Sequence, residues 1–191
     1  MRKAMGHSQA DKSRSRGKIL AQAATQIREG GLESVSVAKL MKSAGLTHGG
    51  FYGHFVSRSE LLIHALEQAL MDGREAFDAS RTRSEPSYSD TVRSYLSRKH
   101  RDSASSGCAM AALAGDAARA DCEIRTPMSE HIEDFVDAIA RAMGSNDRDR
   151  ATFVVSAMIG ALIVSRVIVD PSRSDNVLAA VKRELLSRSE A

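Results

Sequence analysis

Tryptophan is absent from this chain, and its 191 residues include only 3 prolines, 2 cysteines and 4% aromatic side chains. So few prolines leave long helices uninterrupted, and the abundance of Ala, Leu, Ser and Arg favours an all-α protein. Two isolated cysteines, Cys108 and Cys122, cannot supply a disulfide framework. No uninterrupted apolar run reaches the roughly 20 residues of a membrane span. Residues 1–18 are polar and basic without an apolar core, so no secretory signal is expected there, and the expected location is the cytoplasm. Familiar enzyme signatures are also missing: no Walker loop, no nucleophile elbow and no His-Glu zinc helix. His100, Cys108, Asp116, Cys122 and His131 are the grouping from which a thiol or metal site could be drawn, and none falls at recognisable ligand spacing. No enzyme activity, metal or cofactor is expected.

What is present is unevenly spread. Residues 1–60 hold 10 Lys and Arg against 4 Asp and Glu, a net of +6, whereas the remainder holds 17 against 20, a net of −3. A basic front on a mildly acidic back suits a polyanion-binding head carried on a body that does not touch the polyanion. Six of the basic residues, Arg2, Lys3, Lys12, Arg14, Arg16 and Lys18, crowd into the first 18 positions. They could form a phosphate- or groove-reaching arm, or simply a solubilising tail.

The stretch Ser36–Phe55, SVAKLMKSAGLTHGGFYGHF, concentrates the signal. Ser36 is a good N-cap, and Val37, Leu40, Met41 and Ala44 recur at helical spacing. Gly45 ends this first helix, because glycine alone takes a left-handed conformation cheaply past a helix end. Leu46 then drops into the core and Thr47 caps a second helix through about Phe55. Gly49, Gly50 and Gly53 are poor helix formers, at roughly 1 kcal/mol each against alanine. Helix stability does not account for them, and close approach to another molecule would.

These residues, with the serine-capped segment from Ser57 to Leu62, resemble the DNA-binding domain of the TetR/AcrR family of bacterial transcriptional repressors. The shared features are the capped helix, the Ala44–Thr47 turn, the Phe51-Tyr52-Gly53-His54-Phe55 run and the following serine cap. The resemblance covers about the first third of the chain. It implies that Thr47, His48 and Gly49 face base edges at the start of the recognition helix, and that Tyr52 and His54 bind phosphate. Ser36 and Lys39 before it, and Arg58 after it, would clamp flanking phosphates with the help of helix N-termini. Phe51 and Phe55 pack beneath as core.

Beyond this stretch the chain reads as a series of amphipathic helices. A first helix runs from about Lys12, carrying Ile19, Leu20, Ala23, Ala24 and Ile27, to Gly30-Gly31. A long one follows Ser57 and ends near Gly73 or continues toward Phe77. The polar segment at about 79–89, with Pro86, reads as a loop, and Asp90 to about His100 as a helix. Pro127 is expected to open a helix ending at Gly144. The most hydrophobic helix spans about Asp147 to Val169. Asp170-Pro171 stops it, and Asn176–Arg188 forms the last helix.

The expected architecture is all-α: an N-terminal three-helix helix-turn-helix domain with a basic arm (1–56), and a C-terminal helical bundle for ligand binding and dimerisation (57–191). The resemblance implies a homodimer through the last two helices, about 147–188. Its partners would be a double-stranded DNA operator and a small-molecule effector of unknown identity, with no membrane. Effector candidates are Met110, Leu113, Ile132, Phe135, Met158 and Leu162, each of which can equally be core, and Cys108, which is either a thiol whose neighbours Lys99, His100 and Arg101 could favour the thiolate or a small buried hydrophobe. The function expected is a ligand-released repressor on a palindromic operator. Alternatives are a ligand-independent or architectural DNA-binding protein, and a thiol sensor of oxidants or electrophiles acting through Cys108.

Overall fold

A computed structural model describes residues 9–79, 87–103 and 108–187. Arg2 and Lys3 of the expected arm, Pro86 of the expected loop and Gly107 beside Cys108 lie outside the described residues. Within them the chain forms nine α-helices and no strand: α1 (Gln9–Gly30), α2 (Val37–Ser43), α3 (Arg58–Ala79), α4 (Tyr88–Tyr95), α5 (Arg98–Asp102), α6 (Ala109–Ala117), α7 (Cys122–Ala142), α8 (Arg148–Val167) and α9 (Pro171–Ser187). Two short 3-10 segments, Leu32–Ser34 and His48–Gly53, complete the set.

The head is built from α1, α2, the His48–Gly53 segment and the first half of α3. Ile19, Ala23, Ala24 and Ile27 line the buried side of α1, as their spacing predicts, and meet Leu40, Met41, Phe51, Phe55, Leu61 and Leu62. Ser36 caps α2, its Oγ accepting from Lys39 N at 3.4 Å, and Gly45 turns the chain with φ +72°. Ser57 caps α3 through Glu60 N at 3.0 Å. That helix then runs unbroken past Gly73 to Ala79, from the head deep into the body.

Several expectations need correction. Helix α1 begins at Gln9, three residues before the expected start at about Lys12, and Lys12, Arg14, Arg16 and Lys18 are helical as expected. The second helix of the motif is a 3-10 segment, and Thr47 makes no side-chain capping bond. Three glycines in six residues weaken the α-helix enough for the tighter winding to prevail. The Asp90–His100 helix is two helices, because Leu96 leaves helical geometry (ψ 50°) and the Ser97 hydroxyl caps α5 through His100 N. Pro127 lies inside α7, which starts at Cys122; the proline only removes the amide that would bond Glu123 O near an exposed end. Asp170-Pro171 starts α9 as well as stopping α8: Asp170 Oδ1 accepts from Arg173 N at 2.7 Å, and proline suits the first helical position.

In the body, α7 packs between α3 and α8, and α8 in turn against α9. Helix α8 is long and apolar enough to cross a membrane by length and composition alone. Burial of Val154, Val155, Met158, Ala161 and Leu162 in the core gives that composition a packing reason. Phe153, Ile163, Val164 and Val167 nevertheless stay exposed, Val167 at 74%.

Beyond the run of α3 itself, two contacts latch the head to the body, one onto the second half of α3 and one onto α6. Arg28, at the end of α1, pairs with Asp72 at 3.3 Å. The carboxylate of Asp116, near the end of α6, accepts from Leu32 N at 3.0 Å and also pairs with Arg119. Gly31 makes room for it: its φ is +81°, and a Cβ there would stand 2.2 Å from Asp116 Oδ2. Only glycine meets both demands.

Candidate nucleic-acid interface and the cavity behind it

The outer surface of the head is assembled from the bottom up by an aromatic stack. Phe55 is buried and stacks on Phe51 at 5.6 Å between centroids, and Phe51 holds Tyr52 edge-on at 5.3 Å. Two buried rings therefore present a third, Tyr52, at 71% exposure. Thr47, His48, Gly49 and Lys39 are also exposed, and His54 is half-buried. At Gly49 and Gly53 a Cβ would meet nothing within 4 Å among the described residues, and at Gly50 it would make only ordinary contacts with Met41 and Thr47 at 3.6 Å. Internal packing gives no reason for these glycines. Bare backbone on an outer surface permits close approach from outside.

Arg16 fixes this surface, and the sequence alone missed its role. Its guanidinium lies over the Phe55 ring, 4.3 Å from the centroid, donates to the His54 carbonyl and pairs with Glu60 at 3.3 Å. Glu60 also accepts from Val56 N; that amide first, and Arg16 second, hold its carboxyl below the ordinary carboxylate range. Basic density in the first 18 residues marked Arg16 as charge, but nothing marked it as a brace. Two other expected phosphate clamps are engaged within the chain. Arg58 reaches back to Leu32 O at 3.3 Å and Glu33 at 3.2 Å, and Ser36 Oγ is occupied in capping.

Behind the head, a cavity of about 550 Å³ opens between α3, α4, α5, α6 and α7. Its walls include Phe77, Tyr95, His100 and Phe135, which form one connected aromatic cluster with centroids 4.6–5.8 Å apart. Of the effector candidates, Cys108, Met110 and Phe135 line it. Leu113, Met158 and Leu162 are buried core outside the lining, and Ile132 packs half-buried against that core. Sequence reasoning missed Phe77, Tyr95 and His100, because inward helical positions look the same whether they face a neighbour or a void.

Of the two readings of Cys108, reactive thiol or small buried side chain, the structure favours the second. Its Sγ sits at the N-cap of α6, accepts from Ala111 N at 3.4 Å and lies 3.0 Å from the Tyr95 hydroxyl, and burial pushes the thiol up. The expected cations are directed elsewhere or neutral: Arg101 pairs with Asp102 and Asp175, Lys99 is exposed, and burial pushes His100 down. Among the described residues no group of three or more His, Cys, Asp or Glu could hold a metal ion.

Comparison with known proteins agrees with this geometry. The family model for bacterial regulatory proteins of the tetR family matches residues 19–65, the span from the buried face of α1 into α3. No curated protein matches the chain. Solved structures do: the reduced form of NemR from Escherichia coli is 18% identical with a TM-score of 0.73, covering 90% of this chain and 95% of that one. A TetR-family transcriptional regulator from Agrobacterium tumefaciens is 20% identical with a TM-score of 0.70 (93% and 98% covered). Another, from Chloroflexus aurantiacus, is 18% identical with a TM-score of 0.74 (93% and 95% covered). At these identities the likeness is one of fold.

Proposed function

We propose, from the premise that the chain belongs to the TetR family of bacterial regulatory proteins and is a DNA-binding transcriptional regulator, that it acts as a homodimeric repressor released by a small molecule. The observation that carries this reading is the continuity of α3. One rigid helix begins beside Phe55 and Arg16 under the DNA-facing surface and ends with Leu70, Gly73, Arg74 and Phe77 in the cavity wall. A molecule that fills the cavity pushes on the far end of the element that seats the reading surface. Coupling then requires only that the ligand favour one tilt of α3 over another.

On the DNA side, Tyr52 and His54 contact phosphate, Lys39 supplies a cation, and Thr47, His48 and the Gly49 backbone face base edges. With few side chains on the glycine-rich segment, DNA shape contributes to specificity. Two copies read the halves of a near-palindromic operator in successive major grooves. The copies meet through α8 and α9. Gly160, Ile163, Val164 and Val167 recur at three- and four-residue spacing, with Phe153 seven residues before Gly160, and a Cβ on Gly160 would meet nothing within 4 Å among the described residues, so two α8 helices can approach closely there. Val164→Glu should convert the dimer to a monomer in sedimentation velocity and abolish operator binding; a dimer that survives contradicts this interface.

A ligand-independent DNA-binding protein would have a filled body, and the aromatic-walled cavity favours the regulator. A thiol sensor gains no support from Cys108, whose buried sulfur is neutral and already hydrogen-bonded. The test is an operator titration with and without a cavity-filling compound: release supports the repressor reading, and unchanged affinity with the cavity occupied contradicts it.

A further inference from the structure

The polarity of the cavity is arranged in two tiers. Its charged residues, Arg74, Arg141, Asp78 and Asp134, are all exposed at the rim and cancel in number, with Arg74 and Asp134 paired at 3.8 Å. A half-buried imidazole, His131, sits beside the Arg74–Asp134 pair on the α7 wall, and burial pushes it down. On the opposite side, toward α4 and α5, the polar groups are Thr91, the Tyr95 hydroxyl, the Cys108 thiol and the His100 imidazole. Burial pushes Tyr95 and Cys108 up and His100 down, so these three are neutral near pH 7. Among the described residues no charged side chain lines the bottom of the site; the nearest cation, Arg166, lies behind it and donates to the Arg101 and His100 carbonyls at 3.0 and 3.3 Å.

Three of the four groups toward α4 and α5 are already engaged. Thr91 Oγ1 donates to Ser87 O at 3.1 Å, and the Tyr95 hydroxyl and Cys108 sulfur bond each other at 3.0 Å. His100 is different. Its Nδ1 lies 2.8 Å from the Tyr95 carbonyl oxygen, an atom that can only accept, so Nδ1 carries the proton. In the neutral ring, Nε2 is then a bare acceptor. The ring stands among aromatic faces, 4.6 Å from Tyr95 and 5.3 Å from Phe77, with Phe135 stacked on Tyr95 at 5.6 Å.

We infer that the cavity takes a neutral, planar aromatic molecule bearing a hydroxyl or ring N–H, which lies among Phe77, Tyr95 and Phe135 and donates a hydrogen bond to His100 Nε2. Each part of that description answers one feature. Planarity and aromaticity suit the ring cluster, where offset and edge contacts add to burial. Neutrality suits a floor without charge. The donor satisfies the imidazole that stands within the ring cluster and whose acceptor is fixed by the bond to the Tyr95 carbonyl. This inference rests on the reading of the cavity as the effector site.

The probes are 2-naphthol and its methyl ether, 2-methoxynaphthalene, titrated calorimetrically into the full chain. The ether keeps the flat aromatic surface and loses the donor. The naphthol should bind about three- to tenfold more tightly, the range of a net hydrogen bond. His100→Phe keeps a ring in the wall, and His100→Asn keeps a donor near the Tyr95 carbonyl; each removes the Nε2 acceptor and should bring the ratio to about one. Should neither variant fold, the naphthol-to-ether ratio on the unaltered protein decides. Equal binding of the two probes, a preference that survives both substitutions, or no binding of either overturns the inference. Failure here is separable from failure of the regulator: tight, selective naphthol binding without any change in DNA affinity would sink ligand release while leaving the ligand class intact.

Discussion

The head and the body of this chain use aromatic residues in opposite ways. In the head, Phe51 and Phe55 are stacked and buried so that one further ring, Tyr52, is held outward on a rigid base. In the body, Phe77, Tyr95, His100 and Phe135 are stacked around a space that no side chain of the described residues fills. The first arrangement makes a surface and the second makes a socket. In the proposed regulator, a well-packed site and an underpacked one are coupled through the stiff elements that join them. Here the joining elements are α3 and, through Asp116 and Leu32, α6.

The sharpest way to break this contrast is to remove one ring from each region. Phe51→Ala should cost about 3–5 kcal/mol in chemical denaturation, since a closed core cannot collapse onto the lost ring. Phe135→Ala only widens an existing cavity and should cost about half as much or less. Similar losses at both positions would mean that the cavity is packed as tightly as the head.

A second pair addresses the latch. Gly31→Ala imposes both a left-handed φ and a contact with Asp116, and should destabilise by about 1–3 kcal/mol. In the Asp116→Ala background the contact is gone and only the φ strain remains, so the same substitution should cost less. An unchanged cost in that background would remove Asp116 from the account.

Arg16 tests whether the reading surface is braced or merely charged. Arg16→Ala should weaken DNA binding without altering the salt dependence, because this guanidinium faces His54, Phe55 and Glu60. Lys39→Ala should lower the slope of log affinity against log salt by about 0.9, the value for one phosphate contact. A reduced slope for the Arg16 variant would return it to the phosphate-binding set.

The smallest effect concerns Glu60. A carboxyl whose folded pKa is depressed contributes stability that is fully present above its unfolded value, about 4.3, and is lost as pH falls through the lower folded value. Glu60→Gln should therefore flatten the acid limb of the stability profile below about pH 4.5. A limb of unchanged steepness would remove Glu60 from the acid response.

How much of this was legible in the sequence differs between the same two regions. In the head, local chemistry decides: Ser36, Gly45 and Ser57 act within one or two turns of themselves, so caps and turns could be read directly. The winding of the glycine segment could not, because glycine disfavours the α-helix without specifying the winding that replaces it. Arg16 was hidden because its partners lie 38 and 44 positions away. In the body, helical periodicity gives the inward faces but not what they meet. Phe77 and Leu113 carry the same signal, yet one lines the cavity and the other is sealed in the core. Asp116 read as a stray member of a metal-like grouping, whereas its partner is a backbone amide 84 residues away, a pairing with no local signature.

The central claim is that the Tyr52 surface grips DNA and that the cavity controls the grip. Its most direct test is a fluorescence titration of a duplex selected by the protein itself from a random pool, run with the unaltered chain and with Tyr52→Phe, each with and without 2-naphthol. The account predicts two copies per duplex, weaker binding by Tyr52→Phe across all sequences, and release of the unaltered protein by the naphthol. Equal affinity for the Tyr52 variant, together with a complex indifferent to an occupied cavity, would contradict it.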